Sequence, residues 1–340
     1  MHLDLLQNPP LTDINHCLLD RKTQNIPPIS QAIFKHNQQE IRALSAHFGG
    51  EDGGNFSFSS GSFLELFIKL KDYKIAFALS NHQQAYQAYK LAKDLCHFYP
   101  ITPQCDTGII TDLPACDIYL IPYINQDLLT YNPIAKLQNE ILAQNPNALM
   151  IIDISYALAR GETLNFKLCP QSIFLCDGES LGFLRGYGVF LTSSKNCSLF
   201  PPTRYVDGFY TAFLSEIKRR ESSLKIQDQK EQIFKYLKQK LKDDLDLFAP
   251  LDSSMPNTLA LRFKNIKARN LLQSLFLDQI FGINGQECLF GFSSPSFVLQ
   301  EMGYTQDQAR ELLSLSFDAI PTHILDTLIL HYQNLRNLEI

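Results

Sequence analysis

Between about residues 50 and 195, apolar runs of strand length alternate with stretches of helical spacing, and this alternation narrows the possible folds more than any other feature of the chain. The strand-length runs are "KIAFALS" (74–80), "DIYLIPY" (117–123), "ALMIIDI" (148–154), "SIFLC" (172–176) and "YGVFL" (187–191). Between the first two, "QAYQAYKLAKDLC" carries helical spacing, and after the second "NPIAKLQNEILAQ" places a proline at a helix start. Strand, helix and strand in repetition require right-handed crossovers, hence an α/β fold with a mainly parallel sheet and helices on both faces. In such sheets ligands sit beyond the carboxyl ends of the strands.

The stretch 208–245 reads as one long helix or a helix pair. Beyond it the pattern changes to "TLALRFKN", a helix, the short piece "FGINGQEC", "LLSLSFD" and a last helix from Pro321. A chain of 340 residues accommodates one large domain and one smaller one. The expected division is a large α/β domain over 25–240, with 1–24 and 241–340 forming a small α+β domain.

Charge and cysteine usage exclude several classes. The net charge of -5 leaves no basic face for nucleic acid, and "KRRESSLK" reads as a solvated helix face. "MHLDLLQNPPLTD" lacks a basic segment followed by an apolar core, and no apolar run reaches membrane-spanning length, so the expected location is cytoplasmic. Eight cysteines without a CxxC pair argue against a zinc site or a disulfide framework, and no metal is expected.

"DGESLGFLRGYGVFL" (177–191) carries glycines at 178, 182, 186 and 188, where backbone must bend tightly or approach something closely. By itself this is a weak signal: "GYG" is not GxGxxG, and "GGEDGGNFSFSSGS" lacks the Gly-Lys-Ser/Thr ending of a phosphate loop.

Several short stretches, in order, carry a resemblance together. "GQECLFGFSSPSFVLQEMG" resembles the loop Gly-Ser-Ala-Cys-x-x-Gly-x-x-x-Pro-Ser-x-Val-Leu-x-x-Met-Gly of the cysteine desulfurases, class V members of the fold-type-I pyridoxal phosphate (PLP) enzymes. Gly285, Cys288, Gly291, Pro295, Ser296, Val298, Leu299, Met302 and Gly303 fall in register without a gap. "FSSGS" (58–62) resembles that family's phosphate turn, "SNH" (80–82) the stretch with its ring-stacking histidine, and "NQD…NPIA" (125–135) its Asn-Asn-Glu…Pro-Ile-Ala. "IIDISYALARG" (151–161) is similar to His-Val-Asp-Ala-x-Gln-Ala-x-Gly, and "LSLSFDAIPT" to the Arg-x-Ser-x-x-x-x-x-Thr ending. The similarity runs from about residue 25 to 336. It implies a large domain with a seven-stranded-type sheet, a small C-terminal domain carrying the Cys288 loop, a homodimer, and PLP as cofactor. By the same resemblance Asp153 is at the position that pairs with the pyridinium nitrogen, His82 at the ring-stacking position, and Asn125 and Gln126 at the pair reaching the ring hydroxyl. Read from the residues alone, Asp153 also suits a helix cap after a strand, and His82 an ordinary satisfied histidine.

The glycine-rich stretch resembles Ser-x-His-Lys-x-x-Gly-Pro-x-Gly-x-Gly, the loop whose lysine forms the Schiff base. With Gly186 and Gly188 as anchors, the lysine position holds Ser180, the preceding histidine Glu179 and the phosphate-binding serine Asp177. Serine forms no imine and is a poor base at neutral pH, so covalent PLP binding is expected to be absent. Phe63 stands where a threonine would hold the phosphate, and Asp177 would oppose that dianion with a negative charge. Tyr156 replaces the family's glutamine, and Ser314 the arginine that clamps a substrate carboxylate. Lys195 and Lys167 lie too far along the strands to take over.

The expected function is a non-catalytic or altered relative of the desulfurases, with a possible sulfur-transfer or assembly partner protein. The alternatives are an active PLP-dependent desulfurase or aminotransferase using another lysine, and a PLP-free persulfide carrier acting through Cys288. Glu287 beside that thiol would raise its pKa and slow its attack.

Overall fold

The computed structural model describes residues 1–13, 15, 31–193, 199–200, 208–223, 227–286 and 294–338. The sheet-forming region opens with helix α1 (Gln31–His47), then β1 (Asp52–Asn55), α2 (Ser60–Lys69), β2 (Lys74–Ala78), α3 (Gln83–Ala92) and β3 (His97–Ile101). It continues through β4 (Ile118–Pro122), α4 (Ile134–Gln144), β5 (Leu149–Asp153), α5 (Ser155–Ala159), β6 (Ser172–Asp177) and β7 (Gly188–Thr192). These seven strands form one sheet in the order β1-β7-β6-β5-β4-β2-β3. The pairs from β3 through β6 are all parallel, whereas β7 runs antiparallel to both β6 and β1. The expected α/β architecture is therefore present.

All five strand-length runs seen in the sequence are strands, and β4, β5, β6 and β7 are buried along their whole length, as strands covered on both faces must be. The two strands of this sheet that the pattern did not announce are edges: β1 is "DGGN", and β3 is "HFYPI" with three of its five residues exposed. An edge strand buries little, so its sequence carries little apolar signal.

Helices α6 (Phe209–Ser222) and α7 (Lys230–Leu241) follow, a pair rather than one long helix. Then come β8 (Leu245–Leu247), β9 (Thr258–Phe263), α8 (Ala268–Phe276), α9 (Phe297–Glu301), α10 (Gln306–Ala309), β10 (Leu312–Ser316) and α11 (Thr322–Leu338). Strands β8, β9 and β10 make an antiparallel three-stranded sheet whose core includes Leu237, Leu261, Leu271, Phe317 and Tyr332. The first residues tie the two sheets together: Leu3 lies in the core of the small sheet and Leu6 in that of the large one. No helix among the described residues is long and apolar enough to cross a membrane.

Candidate functional site

Parallel pairing brings the carboxyl ends of β4, β5 and β6 side by side, with Pro122 opposite Asp153 and Asp153 opposite Leu175. Two carboxylates therefore end up on neighbouring strand ends. Asp153 is 5% exposed and accepts hydrogen bonds from the backbone N–H of Ser155 at 2.9 Å and from its hydroxyl. These bonds close a local turn just before α5, whose N-cap position is Ile154 and carries no side-chain cap, so Asp153 is not the helix cap its residue type suits. Burial pushes its pKa up to about 6, against the lowering effect of the Ser155 bonds. Asp177 accepts from the N–H of Glu179 at 3.1 Å, and burial with the charges of Glu179 and Asp153 raises its pKa well above the usual carboxylate range. Ser155 links the two: its hydroxyl donates to Asp153 and accepts from the Asp177 N–H at 2.8 Å. The sequence reading did not single out Ser155.

His82 is the N-cap of α3, and its Nδ1 accepts from the N–H of Gln84 at 3.2 Å. Its other nitrogen, Nε2, lies 3.6 Å from Oδ2 of Asp177, and its ring meets the Phe58 ring edge-on at 5.2 Å. Burial lowers its pKa to about 4, so the imidazole is neutral at pH 7. With Nδ1 used as an acceptor, the proton is assigned to Nε2, the atom turned towards Asp177.

Ser180 sits in a 3₁₀ turn, Glu179–Leu181, and is 3% exposed. Its hydroxyl turns back onto its own loop, donating to the Asp177 carbonyl at 2.7 Å. The turn ends at Gly182, with φ of 82°, where an added Cβ would stand 2.6 Å from the Pro10 carbonyl oxygen. There the N-terminal segment crosses the loop: Thr12 N–H and the Asn15 amide both donate to the Gly182 carbonyl.

At the N-terminus of α2, two of the first three N–H groups that would meet an anion are already engaged. Ser59 caps the helix by accepting from the N–H of Ser62 at 3.2 Å, and the Gln84 side chain accepts from the N–H of Ser60 at 2.9 Å. Phe63 is 2% exposed and packs edge-on against Phe56 at 5.0 Å and Phe58 at 5.5 Å.

Asn125 is committed to its turn. Its side-chain oxygen accepts from the N–H groups of Asp127 and Leu128, and its amide donates to the Gly108 carbonyl at 2.9 Å. Gln126 reaches Asp153, with 3.4 Å between its amide nitrogen and Oδ2, and its buried side-chain oxygen has no partner among the described residues. Tyr156 is buried beside Asp127, Asp153 and Asp177, which with desolvation raise its pKa, and Gln7 of the N-terminal segment approaches its hydroxyl. Gln7 also donates to the Gln126 carbonyl at 2.7 Å.

Ser314, on β10, is 1% exposed and donates to the backbone carbonyl of Asp127 at 2.8 Å. Asp127 itself was not among the expected site residues, yet its fully buried carboxylate accepts from the Gln286 N–H at 3.0 Å and from the Ser296 hydroxyl. The Gln286 side chain then accepts from the N–H of Gln83, beside His82, at 2.7 Å. Cys288 and Lys195 lie outside the described residues. Lys167 is exposed and lies beside Gly49, near the start of β6 and at the opposite end of that strand from Ser180. Among the described residues no group of three or more metal-ligating side chains is assembled.

No family model matches this sequence, and no curated protein does. Solved structures do match in shape. A NifS-like protein superposes with a TM-score of 0.74 at 15% identity, covering 99% of both chains. A NifS-like protein from Rickettsia africae ESF-5 gives the same figures. The apo structure of a cysteine desulfurase from Thermococcus onnurineus NA1 matches with a TM-score of 0.70 at 11% identity, over 98% of this chain and 94% of that one. At these identities the likeness establishes the fold: this chain has the architecture of NifS-like proteins and cysteine desulfurases.

Proposed function

We propose that this cysteine-desulfurase-like chain does not carry PLP as a Schiff base and acts as a non-catalytic or altered-function relative, with a binding or assembly role. The observation that carries the proposal is the placement of Ser180. At the position where the resemblance puts the lysine stands a buried hydroxyl, bonded to the Asp177 carbonyl at 2.7 Å, which has no amine to condense with an aldehyde. The surroundings support it. At the start of α2 Phe63 is buried, and the Ser60 and Ser62 N–H groups are taken by Gln84 and Ser59, while the Asp177 carboxyl stands 3.6 Å from His82. These residues fit a phosphate dianion poorly, because they offer bulk where donors are needed.

The test uses the purified protein. PLP is added, visible absorbance is recorded, and borohydride reduction is followed by peptide mapping. The proposal expects no reduced adduct on any lysine; a single stoichiometric adduct sinks it. Sulfide release from cysteine, compared between the native protein and Cys288→Ala, tests the persulfide-carrier alternative, which requires Cys288-dependent bound sulfur.

A further inference from the structure

At the base of the hairpin that carries Asn125, Gln126 and Asp127 lies a cavity of about 540 Å³. The hairpin is closed by the Ile124–Tyr131 bridge, and the Asn132 N–H donates to the Tyr123 carbonyl at 2.8 Å. That closure sets Tyr123 and Tyr131 side by side, with ring centroids 5.5 Å apart and planes at 51°. Glu162, just past α5, completes the wall and accepts a short hydrogen bond from the Tyr131 hydroxyl.

Three features of this wall point to one ligand chemistry. The Tyr123 side chain is only 9% exposed, yet its hydroxyl has no hydrogen-bond partner among the described residues while it lines the cavity. Glu162 receives one side-chain donor, Tyr131, so a carboxylate oxygen is left over. Arg160 and Lys230 are near enough to act on Glu162 through their charge, but the hydrogen bonds they make go to other groups. Arg160 donates to Asp318 and to the Phe317 carbonyl, Lys230 donates to the Ser254 carbonyl and pairs with Asp228, and Lys136 at the mouth is 71% exposed and faces Glu140. Two phenol rings beside a half-buried carboxylate favour a positively charged organic group, through cation–π attraction and direct charge pairing.

We infer that the cavity formed by Tyr123, Tyr131 and Glu162 is a binding site for a small organic ammonium ion, separate from the strand-end site around Asp153. The volume lies within the range of small-molecule pockets. An ammonium head settles between the rings and Glu162, and the Tyr123 hydroxyl is free to bond a polar tail.

Calorimetric titration of the full chain with choline, with phenethylamine and with dimethylbutanol, the neutral isostere of choline, tests this. Both ammonium probes are expected to bind and the neutral isostere to bind at least about tenfold more weakly, a difference of roughly 1.4 kcal/mol. Glu162→Gln, which keeps an acceptor for Tyr131, is expected to weaken the ammonium probes by about tenfold or more. Tyr123→Leu provides a second variant acting through the ring, and thermal melting confirms that each is folded. Absence of binding, equal binding of the neutral isostere, or unchanged affinity in both folded variants overturns the inference. A PLP adduct elsewhere in the chain leaves it standing.

Discussion

His82 and Asp177 face each other at 3.6 Å, Nε2 to Oδ2, at the ends of elements that the sequence separates by 95 positions. Burial acts on both in the direction of neutrality, lowering the imidazole and raising the carboxyl, so the contact is not an ion pair at pH 7. A neutral imidazole beside a carboxyl whose proton affinity is raised is a different object from an anion-binding cup.

Replacing Ser180 by lysine is expected not to produce a PLP adduct or cysteine turnover. The new side chain would start from a position 3% exposed, and Phe63, Asp177 and Ser314 would be unchanged. Absorbance after PLP addition and mass spectrometry after borohydride check this; full PLP binding and turnover by the single variant would falsify the argument about the anion seat.

Asp153→Asn should change the pH dependence of stability in a defined direction. The Asp153 carboxyl moves from its ordinary 3.8 to about 6 on folding, so between these values the folded protein holds a proton that the unfolded chain has released. Its contribution is therefore full below about 4 and lost as pH rises through about 6. His82 acts oppositely: lowered from 6.5 to about 4, it makes stability rise with pH across that interval. Removing the Asp153 titration should favour the variant relative to the native protein by about 2–3 kcal/mol more at pH ~7 than at pH ~4. Urea unfolding at a series of pH values measures it, and a pH-independent difference refutes it.

Asp127→Ala removes the acceptor shared by the Gln286 N–H and the Ser296 hydroxyl, both buried. Two unsatisfied donors and a small void should cost about 3–5 kcal/mol. Chemical denaturation gives the number; a loss below about 1 kcal/mol would mean that other groups take over the clamp.

Gly182→Ala should be destabilising by about 2–4 kcal/mol, because the φ of 82° and the Pro10 carbonyl at 2.6 Å both oppose a Cβ. Hydrogen exchange is expected to show faster exchange at Thr12, whose N–H bonds to the Gly182 carbonyl, as the N-terminal segment lifts from the loop.

How much of this was legible beforehand differs from residue to residue. The buried strands β4 to β7 announced themselves because covering both faces demands an unbroken apolar run. The edges β1 and β3 did not, since pairing on one side places no such demand. Asp153 and His82 were picked out by the resemblance of the stretches that carry them, and the structure has Asp153 at the end of β5 and His82 at the start of α3. Asp127, Ser155 and Gln7 escaped notice, because a buried polar residue is recognised by its partners, and those of Asp127 lie 159 and 169 positions away.

By itself the chain of letters determined that strands would alternate with helices, that the glycines of the 177–191 loop would bend it, and that residue 180 would carry no amine. These are properties of local periodicity, backbone freedom and side-chain chemistry, which need no neighbours to act. Only the tertiary structure decided that Ser180 turns its hydroxyl onto the Asp177 carbonyl, that burial lowers the His82 pKa and raises that of Asp177, and that Tyr123, Tyr131 and Glu162 line one cavity. Burial and long-range contact set hydrogen-bond partners and proton affinities, and neither exists until the chain has folded.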